Sequence, residues 1–282
     1  MEKYVVLYNG LADNGAGFEN AKHLAGVLKD DELDFVDLVG KDIVGTVKTY
    51  DKDQRFILAG GDGTINYFVN HIDEDDIPEN LFYYSAGSGS DFYRDVSEKE
   101  NIDGILRLNK YVKNLPVCEV NGKSMKFIDN VGYGIDGYVC EVADGLKEKT
   151  GKTISYASIA IKGLLYGFSS RKAKITVDGK EYHFNNVWLS PVMKGKYYGG
   201  GMMPCPLQDR DNEELSVLVW DQKWRLGALA MFKGLFDGSH LKHEKICRVY
   251  TGKHIIVEFE KPCAAQVDGE TEINVSKIEC RA

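Results

Sequence analysis

Three corners of the chain end an apolar run in glycine, and they hold the residues best suited to chemistry. Residues 56–59 (Phe-Ile-Leu-Ala) run into Gly60-Gly61-Asp62-Gly63-Thr64, and Ile65, Phe68, Val69 and Ile72 follow at helical spacing. A glycine-rich strand-to-helix corner lets the backbone approach a ligand, and its free N–H groups and helix dipole favour phosphate. Asp62 repels phosphate directly, but it can hold a divalent cation or organise the loop. The corner lacks the Gly-Lys-Ser/Thr of a P-loop and the spacing of a dinucleotide loop. Its plain structural reading is a turn capped by Asp62 or Thr64. The other two corners are residues 9–17, which open on Asn9-Gly10, and residues 85–91 (Ser-Ala-Gly-Ser-Gly-Ser-Asp).

A second kind of chemistry resides in Asp268-Gly269-Glu270. The two carboxylates share a side if the chain is extended there, and a carboxylate can accept a hydroxyl proton in phosphoryl transfer. Asp-Gly is also a favoured hairpin dipeptide. Asp178-Gly179-Lys180 is the internal control: the same dipeptide between strand-like runs, read as a turn only. Residue type and spacing alone do not separate the two.

Two kinds of scaffold must position these groups. Up to about residue 115 the apolar pattern alternates strand and helix, which indicates a parallel sheet wrapped by helices. Strands are expected at residues 4–8, 35–38, 56–59 and 81–84. Beyond that point short strands and hairpins dominate, with Asn121-Gly122 as a further two-residue turn. Helical stretches are expected at 153–168 and 224–236. The predicted domains are 1–114, an α/β unit, and 115–282, mainly antiparallel β, with the last residues able to return to the first.

The chain has 282 residues, 43% hydrophobic and 28% charged, with a formal net charge of −8. Such a balance suits a folded globular protein and argues against disorder and bulk nucleic-acid binding. No run reaches the roughly 18 apolar residues of a membrane span, and the N-terminus lacks a secretory pattern, so a cytoplasmic location is expected. Six scattered cysteines form no C-x-x-C pair and read as buried apolar residues.

Gly60-Gly61-Asp62-Gly63-Thr64 resembles the GGDGT signature of the diacylglycerol kinase catalytic-domain family, which includes bacterial lipid kinases and the sphingosine and ceramide kinases. The resemblance runs over nearly the whole chain. Asn9-Gly10 is similar to the family's NP-x-SG loop, with glycine replacing proline. Residues 86–92 resemble GTGNDF, and 130–136 resemble N-x-x-x-G-x-D. Gly199-Gly200-Gly201-Met202 is similar to GGGM, and residues 267–270 match VDGE. The resemblance implies a Rossmann-like N-terminal domain, a β-sandwich-like C-terminal domain and ATP in the cleft between them. It implies that Asn9, Gly60, Gly61, Gly63, Thr64, Ser88, Gly89 and Asp91 form the ATP site. Asp62 would join a water and Mg²⁺ network near the phosphates, which Asp91 would help to hold. Asp268 would be the general base on a lipid hydroxyl, with Glu270 beside it.

Two departures from the family stand out. Ser90 replaces a common asparagine, removing an amide donor and acceptor from the pocket. Asn212 falls where a metal-binding aspartate is common, leaving Asp209 or Asp211 to supply a carboxylate for a structural Mg²⁺, or Arg210 to fill part of its charge.

The resemblance implies an ATP-dependent lipid kinase acting at a membrane surface, with a homodimer as a further expectation. Diacylglycerol or a related lipid is the expected acceptor. A NAD kinase-like enzyme and a catalytically weak nucleotide-binding regulator are the alternatives. Basic residues beside aromatics suit an anionic interface. Residues 171–174, 194–198 and, more weakly, 240–243 are the candidate clusters. The helical stretch that ends at Phe168 reads as a core helix or as the lining of an acyl groove.

Overall fold

The computed structural model describes residues 2–87, 90–97, 104–150 and 154–282. Two compact units divide it, Met1–Leu115 and Pro116–Ala282.

The first unit is a five-stranded sheet: β1 (Lys3–Tyr8), β2 (Glu32–Asp37), β3 (Arg55–Gly60), β4 (Leu81–Ser85) and β5 (Ile105–Arg107). The strand order is β2-β1-β3-β4-β5, with the first four parallel and β5 antiparallel at the edge. Val5, Val6 and Leu7 of β1 and Ile57 and Leu58 of β3 are fully buried, as continuous apolar runs in a covered parallel sheet should be. The helix Asp62–Asn70 returns Ile65, Phe68 and Val69 to this core. Strand order reverses between β1 and β3, and in open α/β sheets ligands bind at the carboxyl ends of the strands at such a point. Asn9-Gly10 follows β1 and Gly61 follows β3, so the first two glycine corners flank it.

The second unit is antiparallel throughout. Its strands are β6 (Val117–Val120), β7 (Lys123–Lys126), β8 (Asn130–Tyr133), β9 (Arg171–Val177), β10 (Lys180–Leu189), β11 (Val192–Met193), β12 (Leu215–Asp221), β13 (Cys247–Gly252), β14 (His254–Val267) and β15 (Glu270–Arg281). The long β14 pairs with β9 through its first half and with β8 through its last residues, closing the path β14-β8-β11-β12-β10-β9 on itself. The result is barrel-like, and Val131, Ile175, Val217, Val257 and Ala265 share its core. The last strand, β15, pairs with β14 and β6 and belongs to the second unit.

Asn121, Asp178 and Asp268 have φ of 51°, 47° and 45°, each followed by a glycine with positive φ. All three hairpins thus use the left-handed pair that matches strand twist.

The expected helices appear as Tyr156–Lys162 continued by a wider turn over Gly163–Gly167, and as Arg225–Phe232 continued by a tight turn to Leu235. The longest helix among the described residues, Ile135–Thr150, has no counterpart in the sequence expectations. Gly137 and Gly145 weaken its local helix signal. Gly137 is needed for packing, since a Cβ there would collide with the Ala264 carbonyl of β14.

Candidate functional site

In the first unit the glycine corners are bound to each other. Asp62 opens its helix without capping it, because the N-cap is Gly61 and makes no side-chain cap. Its carboxylate instead accepts the backbone N–H of Asp91 at 2.8 Å and of Phe92 at 3.3 Å, the first turn of the helix Asp91–Val96. A negative charge satisfies the orphan donors and dipole of that neighbouring helix. The Ser90 hydroxyl donates to Asp62 at 3.3 Å, and Tyr83 links Ser90 to the Gly60 carbonyl. A Cβ on Gly87 would stand 2.8 Å from the Gly61 Cα, and one on Gly60 would collide with Thr64, so both glycines serve close approach. Gly63 faces open space.

The loop after β1 is fixed in the same way. The Asn9 side chain accepts Leu11 N–H at 3.0 Å, and Gly17 leaves no room for a side chain against the Asn9 carbonyl. Asp37, at the end of β2, accepts Gly10 N–H at 2.9 Å and Val39 N–H at 3.0 Å. Its role escaped the sequence, where nothing links it to Gly10. Thr64 is buried, and among the described residues its hydroxyl has no hydrogen-bond partner. A buried orphan hydroxyl beside backbone-packed glycines fits a site whose polar partner is a ligand. Asp91 is buried, with its carboxylate 3.8 Å from Arg94. Ser88 and Gly89 lie outside the described residues.

In the second unit Asp268 is the centre of a backbone clamp. Its Oδ2 accepts Ile128 N–H at 2.6 Å, and its Oδ1 accepts the N–H groups of Asp129 and Asn130 at 2.9 Å each. Glu270 is exposed. The clamped segment is gripped again by Arg210, whose guanidinium donates to the Ile128 carbonyl and to the Asp129 carboxylate. Arg210 and Asp129 are both buried, an ion pair that spacing could not reveal.

That pair bears on the expected metal site at Asp209 and Asp211. Lys194 also reaches the loop, donating to the Asn212 carbonyl at 2.8 Å. Burial, then the Arg210 charge, pushes the Lys194 ammonium below its ordinary range. Two cations thus stand where a structural Mg²⁺ would require carboxylates. Asp209 turns its Oδ1 to the Asp211 N–H at 3.1 Å. Among the described residues, no group of three His, Cys, Asp or Glu side chains is placed to hold a metal. The loop does not fit a structural Mg²⁺, because Arg210 and Lys194 already supply its positive charge.

Asp136 received no role from sequence, although it lies in the segment 130–136. It is buried at the start of the helix Ile135–Thr150, and burial pushes its carboxyl up to about 7. Tyr198 donates to its Oδ1 at 2.9 Å, while its Oδ2 has no partner among the described residues. An acid in an otherwise apolar helix start was the available signal.

Several residues of the candidate basic clusters are paired or buried. Lys174 pairs with Glu258 at 2.7 Å and Glu181 at 3.4 Å, and Lys172 lies 3.8 Å from Glu260. Tyr198 is buried and His240 is fully buried, with both ring nitrogens bonded to backbone carbonyls. The stretch ending at Phe168 sends Ile159, Ala160, Leu164 and Phe168 into a core with Trp188 and Leu235.

Residues 3–120 match the model of the diacylglycerol kinase catalytic domain, and residues 129–279 match that of the YegS C-terminal NAD kinase beta sandwich-like domain. YtlR of Bacillus subtilis, named as a candidate lipid kinase, is 24% identical over 246 residues, 80% of this chain and 77% of its own. A diacylglycerol kinase of Mycobacterium tuberculosis is 23% identical over 263 residues, 86% of this chain and 81% of its own. A crystal structure described as a diacylglycerol kinase from Bacillus anthracis superposes with a TM-score of 0.61 at 21% identity, covering 99% of this chain and 93% of that one. That likeness establishes the shared fold.

Proposed function

Because this chain belongs to the diacylglycerol kinase catalytic-domain family, continued by a YegS-type C-terminal domain, we propose that it transfers the γ-phosphoryl group of MgATP to a lipid hydroxyl at a membrane surface. Diacylglycerol is the first acceptor to test. The observation that carries this reading is the set of backbone-packed glycine corners at the carboxyl ends of β1, β3 and β4, beside the strand-order reversal. Phosphoryl transfer asks a protein mainly for positioning and charge stabilisation. The N–H groups at the start of the helix Asp62–Asn70 and the orphan Thr64 hydroxyl suit phosphate oxygens. Asp62 keeps the second and third corners in register by holding the helix Asp91–Val96. Mg²⁺ enters with the nucleotide as part of the substrate. Asp268 is the proposed acceptor of the lipid hydroxyl proton as the oxygen attacks the γ-phosphorus and ADP leaves.

The test is transfer of labelled phosphate from MgATP to diacylglycerol, phosphatidylglycerol, a sphingoid base and a polyprenol, with NAD in parallel. Labelled lipid, lost in Asp62→Asn at an unchanged fold, is the expected result. Labelled NADP with no labelled lipid, or MgATP binding without transfer to any acceptor, overturns the reading.

A further inference from the structure

Two helical segments of the second unit expose apolar residues where a closed core would hide them. On the segment that begins at Tyr156, Ile161, Leu165 and Tyr166 face solvent, Tyr166 being 70% exposed. At the start of the helix Arg225–Phe232, Trp224 is 68% and Leu226 74% exposed. Arg225 joins the two segments: its guanidinium donates to the Leu164 carbonyl at 3.2 Å and to the Ser169 hydroxyl at 2.8 Å. Trp224 and Leu226 flank Arg225 in the chain, so they are brought beside the segment that carries Leu165 and Tyr166.

Within these two segments every formal charge is positive, with Asp221 and Asp237 flanking the second. Residues 154–170 and 222–236 contain Lys162, Lys223, Arg225 and Lys233 and no Asp or Glu, in a chain whose net charge is −8. Among the described residues none of these four makes an ion pair, unlike Lys172 and Lys174. An exposed apolar patch marks an interaction site. Tryptophan and tyrosine with lysine around an apolar centre match the chemistry of an anionic lipid interface, where rings sit at headgroup depth and ammonium groups meet phosphate. A protein partner would need acidic complementarity and a matched shape, whereas a lipid surface needs only these residue types.

We propose that the face formed by Ile161, Lys162, Leu165, Tyr166, Trp224 and Leu226 docks this protein on anionic bilayers. The proposal rests on the lipid-kinase reading for its purpose, though not for its geometry.

The protein supplies its own reporter. Trp188 and Trp220 are each 1% exposed, so a change in tryptophan emission on binding belongs to Trp224. Vesicles of phosphatidylcholine with phosphatidylglycerol should shift the emission to the blue, and Trp224→Phe should abolish the shift. Leu165→Glu with Leu226→Glu should lower vesicle co-sedimentation at least tenfold while MgATP binding stays unchanged. Lys162→Gln with Lys223→Gln should weaken binding to the anionic vesicles. Unchanged co-sedimentation of the glutamate variant overturns the proposal. So does concentration-dependent dimerisation that this variant abolishes without any vesicle binding, which would make the face a contact between copies. A short-chain, water-dispersed diacylglycerol separates the two readings. Docking without phosphorylation of any lipid leaves the face and removes the kinase. Phosphorylation with no vesicle binding leaves the kinase and removes the face.

Discussion

Asp178 and Asp268 hold the same place in two hairpins of one sheet. Their φ angles are 47° and 45°, a left-handed glycine follows each, and each carboxylate accepts backbone N–H groups from a neighbouring stretch. The turns differ in what the carboxylate does. Asp178 uses one oxygen, Oδ1, for Lys253 N–H at 3.0 Å and His254 N–H at 2.8 Å. Asp268 uses both oxygens for three consecutive amides. Beyond those amides lies the buried Asp129–Arg210 pair, whereas Lys253 makes an exposed pair with Glu213. One dipeptide therefore ties down a surface strand end. The other fixes the approach to β8 and Asp136, and its aspartate presents a carboxylate of fixed orientation.

The largest expected effect separates the two aspartates directly. Asp268→Asn should lower lipid phosphorylation about 10²- to 10⁴-fold through turnover, with MgATP affinity little changed, as loss of a general base does. It should also cost about 1–3 kcal/mol in a denaturant melt, because an amide NH₂ would confront the Ile128 N–H. Asp178→Asn keeps one oxygen for both its amides, so activity and stability should stay near the parent. Equal loss of turnover in both variants erases the distinction.

Next comes the second grip on the Asp268 side. Arg210→Met strands a buried carboxylate, and breaking such a pair typically costs about 3–5 kcal/mol, read as a lowered denaturant midpoint. Lys253→Met, on the Asp178 side, removes only an exposed pair and should leave the midpoint near that of the parent. A chelator should leave the melting temperature of the parent unchanged. A fall on chelation would restore a metal to the Asp209 loop.

A comparable effect, spread over pH, is a slope that belongs to Asp136. Its carboxyl is raised to about 7 in the fold, against about 3.9 in an unfolded chain. Between those values the unfolded chain has released a proton that the folded chain still holds. Stability therefore falls as pH rises from about 4 to 7 and levels off above. Each unit of separation is worth about 1.4 kcal/mol. Asp136→Asn should flatten the slope in urea melts from pH 4 to 8, and an unchanged slope would exclude Asp136 as its source.

The smallest effect is a matched pair. Gly179 and Gly269 have φ of 83° and 95°, and a Cβ on either meets nothing within 4 Å. Gly179→Ala and Gly269→Ala should each cost about 1–2 kcal/mol in thermal melts, from left-handed strain alone. A much larger loss at Gly269 would show that the Asp268 turn is strained beyond its backbone type.

What the sequence by itself determined was local and periodic. Apolar runs ending in glycine placed β1, β3 and β4 and the corners after them, because strand burial and turn chemistry are written in adjacent residues. The dipeptides Asn121-Gly122, Asp178-Gly179 and Asp268-Gly269 marked their hairpins for the same reason. The helix Ile135–Thr150 was hidden because its glycine answers a contact with Ala264, more than a hundred residues away. Tertiary structure alone decided the partners of the charges. Asp62 caps a helix that begins 29 residues later, and Arg210 reaches Asp129 across 81 residues. The closure of β14 onto β9 and β8, and the joining of Trp224 to the segment after Tyr156 through Arg225, were decided in the same way. Hydrogen bonds and ion pairs depend on distances that only the folded chain sets, whereas periodicity and turn preference depend on neighbours in sequence.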